Sequence, residues 1–127
     1  MTASAPGRGN PARATSPTDN LAYLRIFNEM ADVGLTQVEL GKAVGASVRT
    51  IQNWTSGANA PAGARAQRLL DVHYIVRELR TVYTDEGVKI WLNARNRNLG
   101  RARPIDLLTE GNVDSVLEEA ERIAGAM

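Results

Sequence analysis

The chain has no cysteine and a single histidine among its 127 residues. Disulfides, cysteine nucleophiles and thiolate metal sites are therefore excluded, and a histidine-based zinc site nearly so. No apolar run approaches the ~20 residues of a membrane span. The N-terminus also lacks the apolar core of a secretory signal, so the expectation is a soluble, cytoplasmic protein. A large excess of one charge is missing too: 15 basic residues face 14 acidic ones, for a net charge of +1. Such a balance does not suit a protein that coats nucleic acid without specificity, and any DNA binding must come from a local patch. No nucleophile–base–acid set is visible. Asp85 and Glu86 read as acids at a helix start, and Gly7-Arg8-Gly9 lacks the strand-turn-helix context of a phosphate loop. No enzymatic activity and no cofactor are expected.

What is present is enough apolar material to fold. With 43% hydrophobic residues, the chain suits one compact domain or two small helical units sharing a core. Residues 1–17 hold three prolines, two glycines and two arginines, with no large aliphatic or aromatic residue beyond Met1. They cannot bury enough apolar surface to offset their ordering entropy, and read as a flexible arm. Either it is an unstructured leader, the favoured reading, or a basic arm that reaches a DNA groove.

From Thr18 the pattern is helical, with Leu21, Leu24, Phe27, Met30 and Ala31 as the inward face and Gly34 as the stop. A second helix is predicted over residues 36–44, with Thr36 and Glu39 as a capping box. A third follows over residues 47–56, capped by Ser47, with Ile51 and Trp54 inward. After Pro61 a long helix reaches to about Tyr83 on Leu69, Val72, Val76 and Leu79. Thr84 or Asp85 caps a short helix through Trp91, and residues 93–103 form a polar, basic connection. Pro104 opens another short helix that Gly111 closes. Asn112 caps the last helix, with Val113, Val116, Leu117 and Ala120 along one side. Its Glu118, Glu119 and Glu121 read as a solvated face. The prediction is an all-α fold divided at residues 18–83 and 84–127.

The strongest constellation is the pair of short helices joined at Gly45 and Ala46, the helix-turn-helix arrangement. Leu40, Val44, Ile51 and Trp54 form its buried contact, and Gly41 sits where the backbones approach. Inward Ile51 and Trp54 leave Arg49, Thr50, Gln52 and Asn53 outward. Arginine can bond guanine bidentately, and asparagine or glutamine can bond adenine. Val48 can touch a thymine methyl or tuck beneath the preceding helix. The unit is weakly charged for DNA, because residues 18–60 hold three basic and four acidic side chains, net −1. Arg65 and Arg68, the arm's Arg8 and Arg13, and a homodimer that doubles the footprint are the available reinforcements.

The stretch "LTQVELGKAVGASVRTIQNWTSG" resembles the Xre (phage repressor-like) helix-turn-helix family over about residues 19–75. The resemblance implies phosphate and base support from Gln37 and base reading by Ser47, Val48, Arg49 and Asn53. Residues 84–127 are similar to the C-terminal domain of the Xre–MbcA–ParS antitoxin family. That pattern is Trp91-Leu92, an asparagine-containing loop from Asn93 to Asn98 with Leu99, Pro104-Ile105-Asp106-Leu107-Leu108, Gly111, and a last helix from Val113. Both halves together cover about residues 19–125.

This resemblance implies an antitoxin that inhibits a RES-domain toxin consuming NAD⁺ or transferring ADP-ribose, by covering its active site. It also implies repression of the protein's own operon, with the cognate toxin and operator DNA as partners. Trp91, Asn93, Arg95, Asn96, Arg97, Arg101, Arg103 and Gly125 are the toxin contacts carried over, although "VKIWL" is apolar enough for Trp91 to belong to the core. Two other readings stand beside it: a plain Xre-type repressor whose C-terminal half only dimerises, and a protein-interaction module without DNA function.

Overall fold

The computed structural model describes residues 17–125, with side chains from Leu21 onward. The arm at residues 1–17 thus lies outside the described residues except for Pro17, which opens the first helix. Seven α-helices follow in order among the described residues: α1 (Pro17–Asp32), α2 (Gln37–Val44), α3 (Val48–Thr55), α4 (Gly63–Arg80), α5 (Asp85–Asn93), α6 (Pro104–Thr109) and α7 (Val113–Gly125). A single 3₁₀ turn, Arg97–Leu99, sits between α5 and α6. The one β element among the described residues is an isolated antiparallel bridge between Asn96 and Ala102. The fold is all-α, with a helix-turn-helix at its N-terminal end.

Local chemistry sets the helix ends. Thr36 and Glu39 form a reciprocal capping box: the Glu39 N–H donates to Thr36 Oγ1 at 3.1 Å, and the Thr36 N–H donates to Glu39 Oε1 at 3.0 Å. The second helix stops at Gly45, whose left-handed φ of 83° lets the next N–H, of Ala46, turn back to the Gly41 carbonyl at 2.8 Å. Ser47 then caps α3 by accepting the Thr50 N–H at 3.1 Å. Thr84 caps α5, and Pro104 occupies the first turn of α6.

One continuous core joins both halves. Phe27, Met30 and Val33 from α1 and its end meet Leu40 and Val44 of α2 and Ile51 and Trp54 of α3. Phe27 and Trp54 stack with centroids 6.3 Å apart. Leu69, Val72, Ile75, Val76 and Leu79 of α4 are fully buried, as are Val116 and Ala120 of α7. The α4–α7 pairing is the most extensive in the molecule, and α2 packs against both α3 and α6. The same cluster therefore spans the sequence boundary at residues 83 and 84.

Three sequence expectations are corrected here. Leu21 is 65% exposed, Leu24 only half-buried and Ala31 exposed; the inward face of α1 is instead Tyr23, Ile26, Phe27, Met30 and Val33. A strict three-residue repeat drifts about 60° around a 3.6-residue helix at each step, which carries Leu21 half a turn from Met30. The long helix ends at Arg80, not Tyr83, because the Thr81 hydroxyl donates to the Glu78 carbonyl at 2.6 Å and competes with the helical ladder. Tyr83 is left 37% exposed. Finally, Glu119 is buried among its neighbours, so the acidic face of α7 is not uniformly solvated.

The closest backbone approach is at Gly41. A methyl group there would lie 2.6 Å from the Ala46 carbonyl oxygen, so Gly41→Ala must push the turn away from α2. Urea unfolding of that variant should show a loss of about 1–3 kcal/mol, typical of overpacking at a rigid contact.

Candidate nucleic-acid and partner interfaces

The candidate nucleic-acid surface is built from the starts of α2 and α3. Ile51 and Trp54 anchor α3 inward, which leaves Val48, Arg49 and Gln52 exposed together with Ser47 before the helix. Gln37, the first residue of α2, is exposed too. Thr50 and Asn53 are half-buried and more constrained. The Thr50 Oγ1 accepts from the Ser47 hydroxyl at 3.0 Å, so this pair serves the cap. Asn53 lines a shallow cavity with Thr50, Asn59 and Arg65. Arg65 of α4 donates through Nε to the Gly45 carbonyl at 3.1 Å, which braces the turn between the two helices.

The second surface lies between α5 and α6. Here residues 93–103, a polar connection in the sequence, form an ordered knot around Asn96. The Asn96 N–H donates to the Ala102 carbonyl at 3.0 Å. Its own carbonyl accepts from the Leu99 N–H at 3.0 Å and the Arg101 N–H at 2.8 Å, and its Oδ1 accepts from the Asn98 N–H at 2.8 Å. Asn96 is thus the organiser of the loop. Arg101 has a φ of 68°, the only positive value at a non-glycine residue among those described. Arg95 Nη1 donates to the Arg101 carbonyl at 3.2 Å and holds that turn from outside.

The remaining candidates sit around this knot. Trp91 is half-buried and packs on the core. The Asn93 side chain donates back to the Lys89 carbonyl at 2.8 Å, closing α5. Arg97 is exposed on the 3₁₀ turn, and Gly125 is exposed at the end of α7. Arg103 grips Asp106 with two 2.8 Å hydrogen bonds, and this guanidinium holds the Asp106 carboxyl below the ordinary aspartate range.

Sequence reasoning missed the group that ties the knot to α7. The Glu119 carboxylate, 6% exposed, accepts from Asn98 Nδ2 at 3.0 Å and from Arg122 Nε and Nη2 at 2.9 and 2.7 Å. Arg122, and after it Asn98, hold this carboxyl below the ordinary glutamate range, against the opposing effect of burial. One sequence signal pointed to it. Glu119 lies three residues after Val116 and four before Ile123, inside the apolar stripe of α7. A polar cavity of about 450 Å³ opens beside it, lined by Asn98, Asn112, Ser115, Glu118, Glu119 and Arg122 among others. A half-buried pair, His73 Nε2 and Glu29 Oε1 at 2.8 Å, joins α4 to α1. No group of three or more potential metal ligands exists among the described residues. No helix among them is long and apolar enough to cross a membrane.

Known proteins place this arrangement. The helix-turn-helix family HTH_3 matches residues 28–73, the segment from within α1 to the middle of α4. The mycobacterial cidal antitoxin MbcA of Mycobacterium tuberculosis is 33% identical over 105 residues, covering 83% of this chain and 93% of the relative. The chain belongs to the MbcA antitoxin family. MbcA of Mycobacterium bovis matches to the same extent. One chain in the crystal structure of the M. tuberculosis MbcT–MbcA toxin–antitoxin complex superposes with a TM-score of 0.66 at 30% identity. That match covers 84% of this chain and 96% of the other. The similarity extends well past the helix-turn-helix, and the matched MbcA proteins are antitoxins, not enzymes.

The Glu119 clamp gives a signed pH dependence. A carboxyl whose folded pKa is depressed adds stability above its unfolded pKa and loses it as pH falls through the lower folded value. Wild-type stability should therefore drop as pH falls from the ordinary carboxyl range to below it. Glu119→Gln should start less stable at pH 7 and lose less over the same acid interval, as followed by urea unfolding at each pH.

Proposed function

We propose that this chain binds and inhibits a toxin enzyme and represses its own operon through α3. The observation that carries the reading is the reach of the family likeness: it spans 105 residues and both halves, far beyond the 28–73 segment that DNA binding alone would explain. Against a plain repressor with a C-terminal half used only for dimerisation stands the fact that the relatives matched over both halves are antitoxins. The solved relative, a toxin–antitoxin complex, supports a protein partner for the C-terminal half.

In mechanism, the toxin is a RES-domain enzyme that consumes NAD⁺ or transfers ADP-ribose, and the antitoxin acts by steric exclusion of NAD⁺. The contact surface is the ordered loop with its arginines Arg95, Arg97, Arg101 and Arg103, flanked by Trp91, Asn93 and Asn96 and by the α7 end at Gly125. A knotted loop loses little conformational entropy on docking, which favours binding. On the DNA side, Ser47, Val48, Arg49, Gln52 and Asn53 read base edges, and Gln37 and Thr50 support them. A homodimer would supply two such units to an operator.

Removing α7 is a poor test, because Val116 and Ala120 complete the core against α4. Charge reversal in the loop avoids this. Arg97→Glu combined with Arg101→Glu should abolish rescue of cells expressing the neighbouring toxin gene, while a urea unfolding curve stays cooperative. Full rescue by that variant would place the inhibitory surface elsewhere. Independently, Arg49→Ala should weaken binding to the DNA upstream of the gene by about 1–3 kcal/mol and relax its sequence preference. Unchanged binding would remove α3 from the reading role.

A further inference from the structure

Residues 18–60 carry a net charge of −1, too little to hold a polyanion whose phosphates supply much of the binding energy. Between Lys89 and Arg103, by contrast, there are five basic residues and no acidic one. The fold brings part of this second stretch against the first. The sixth helix, which Arg103 precedes, packs on α2. Lys89 of α5 lies across the loop that leads into α2: a methyl group at Gly34 would sit 3.0 Å from both Lys89 Cγ and Cδ. The Arg103 guanidinium is close enough to feel the Glu39 carboxylate, which folds back onto the α2 N-terminus. Arg95 in turn acts on Asp106 beside it. Among the described residues Lys89 and Arg95 form no ion pair with a carboxylate, and both are exposed.

The first helix of a helix-turn-helix crosses the sugar–phosphate backbone while the second enters the groove. The cations therefore flank the end of α2 at which a duplex seated on α3 would run. We propose that Lys89, Arg95 and Arg103 form a phosphodiester-binding rim that extends the DNA surface of α2 and α3 into the C-terminal half. The inference rests on α3 reading DNA, and it adds a ligand of different chemistry to two arginines already placed on the toxin surface. The loop has two sides. On one, the 3₁₀ turn packs toward α7 through Asn98 and Glu119. On the other, Arg103 lies near Glu39 of α2, Lys89 of α5 lies against the loop before α2, and Arg95 lies beside Asp106 of α6, the helix packed on α2. DNA takes the second side. Its backbone contacts position the protein without reading sequence, so they strengthen every duplex alike.

Salt dependence tests this on the full chain, using the duplex upstream of the gene and an unrelated duplex of equal length. Lys89→Gln should lower the slope of log affinity against log salt by about 1, and Arg95→Gln by a similar amount. Each should weaken both duplexes by the same factor. Arg97→Gln, in the turn that packs on α7, should leave the slope unchanged. A slope unaltered by Lys89→Gln and Arg95→Gln overturns the rim, even where Arg49→Ala still abolishes preference for the upstream duplex. An equal loss from Arg97→Gln overturns it too, since net charge and not placement would then decide. Failure of the wild-type chain to bind either duplex removes both the rim and the reading role of α3.

Discussion

Everything in this molecule depends on the burial of α4 between its two halves. Leu69, Val72, Ile75, Val76 and Leu79 are all excluded from water, on a helix that packs against α1 and α2 of the N-terminal half and α5 and α7 of the C-terminal half. A fully buried aliphatic side chain stabilises a fold by about 1.5–3 kcal/mol, so a helix with five of them cannot be released from either half cheaply. The helix-turn-helix is consequently not a module tethered to a partner-binding tail. It is one end of a single packed body.

That constraint gives the surface features their meaning. Polar contacts at the periphery fix loops to the same body: His73 with Glu29 joins α4 to α1, Arg80 reaches both Glu29 and Asp85, and Glu119 ties Asn98 to α7. Each is a partly or fully buried charge with defined partners, the arrangement in which breaking one side leaves the other uncompensated. The basic loop is thus held at both ends, and its arginines keep a set position relative to the recognition helix.

Much of this was legible in the sequence where the chemistry is local. The capping box at Thr36 and Glu39, the cap at Ser47 and the turn at Gly45 follow from residue types three or four positions apart. The apolar spacing of Ile51 and Trp54 fixed which side of α3 faces out. Features that depend on distant contacts were hidden. Leu21 looked inward because it opens the three-residue apolar series of α1, yet no element among the described residues covers it. Glu119 looked solvated because acids on a terminal helix usually are, and only the Asn98 side chain, folded in from the loop, shows otherwise. The knot at Asn96 is made mostly by backbone groups of residues 96–102, which no side-chain pattern reveals. Lys89 and Arg103 lie more than 40 residues from α2 in sequence, and only the fold brings them beside it and the loop before it.

Native-state amide hydrogen exchange across a denaturant series tests the single-body account most directly. The account predicts that slow-exchanging amides of α2, α4 and α7 open with one common free energy, equal to that of global unfolding. Two separate opening energies, one for α2 and α3 and another for α5 to α7, would contradict it and restore a tethered two-module protein.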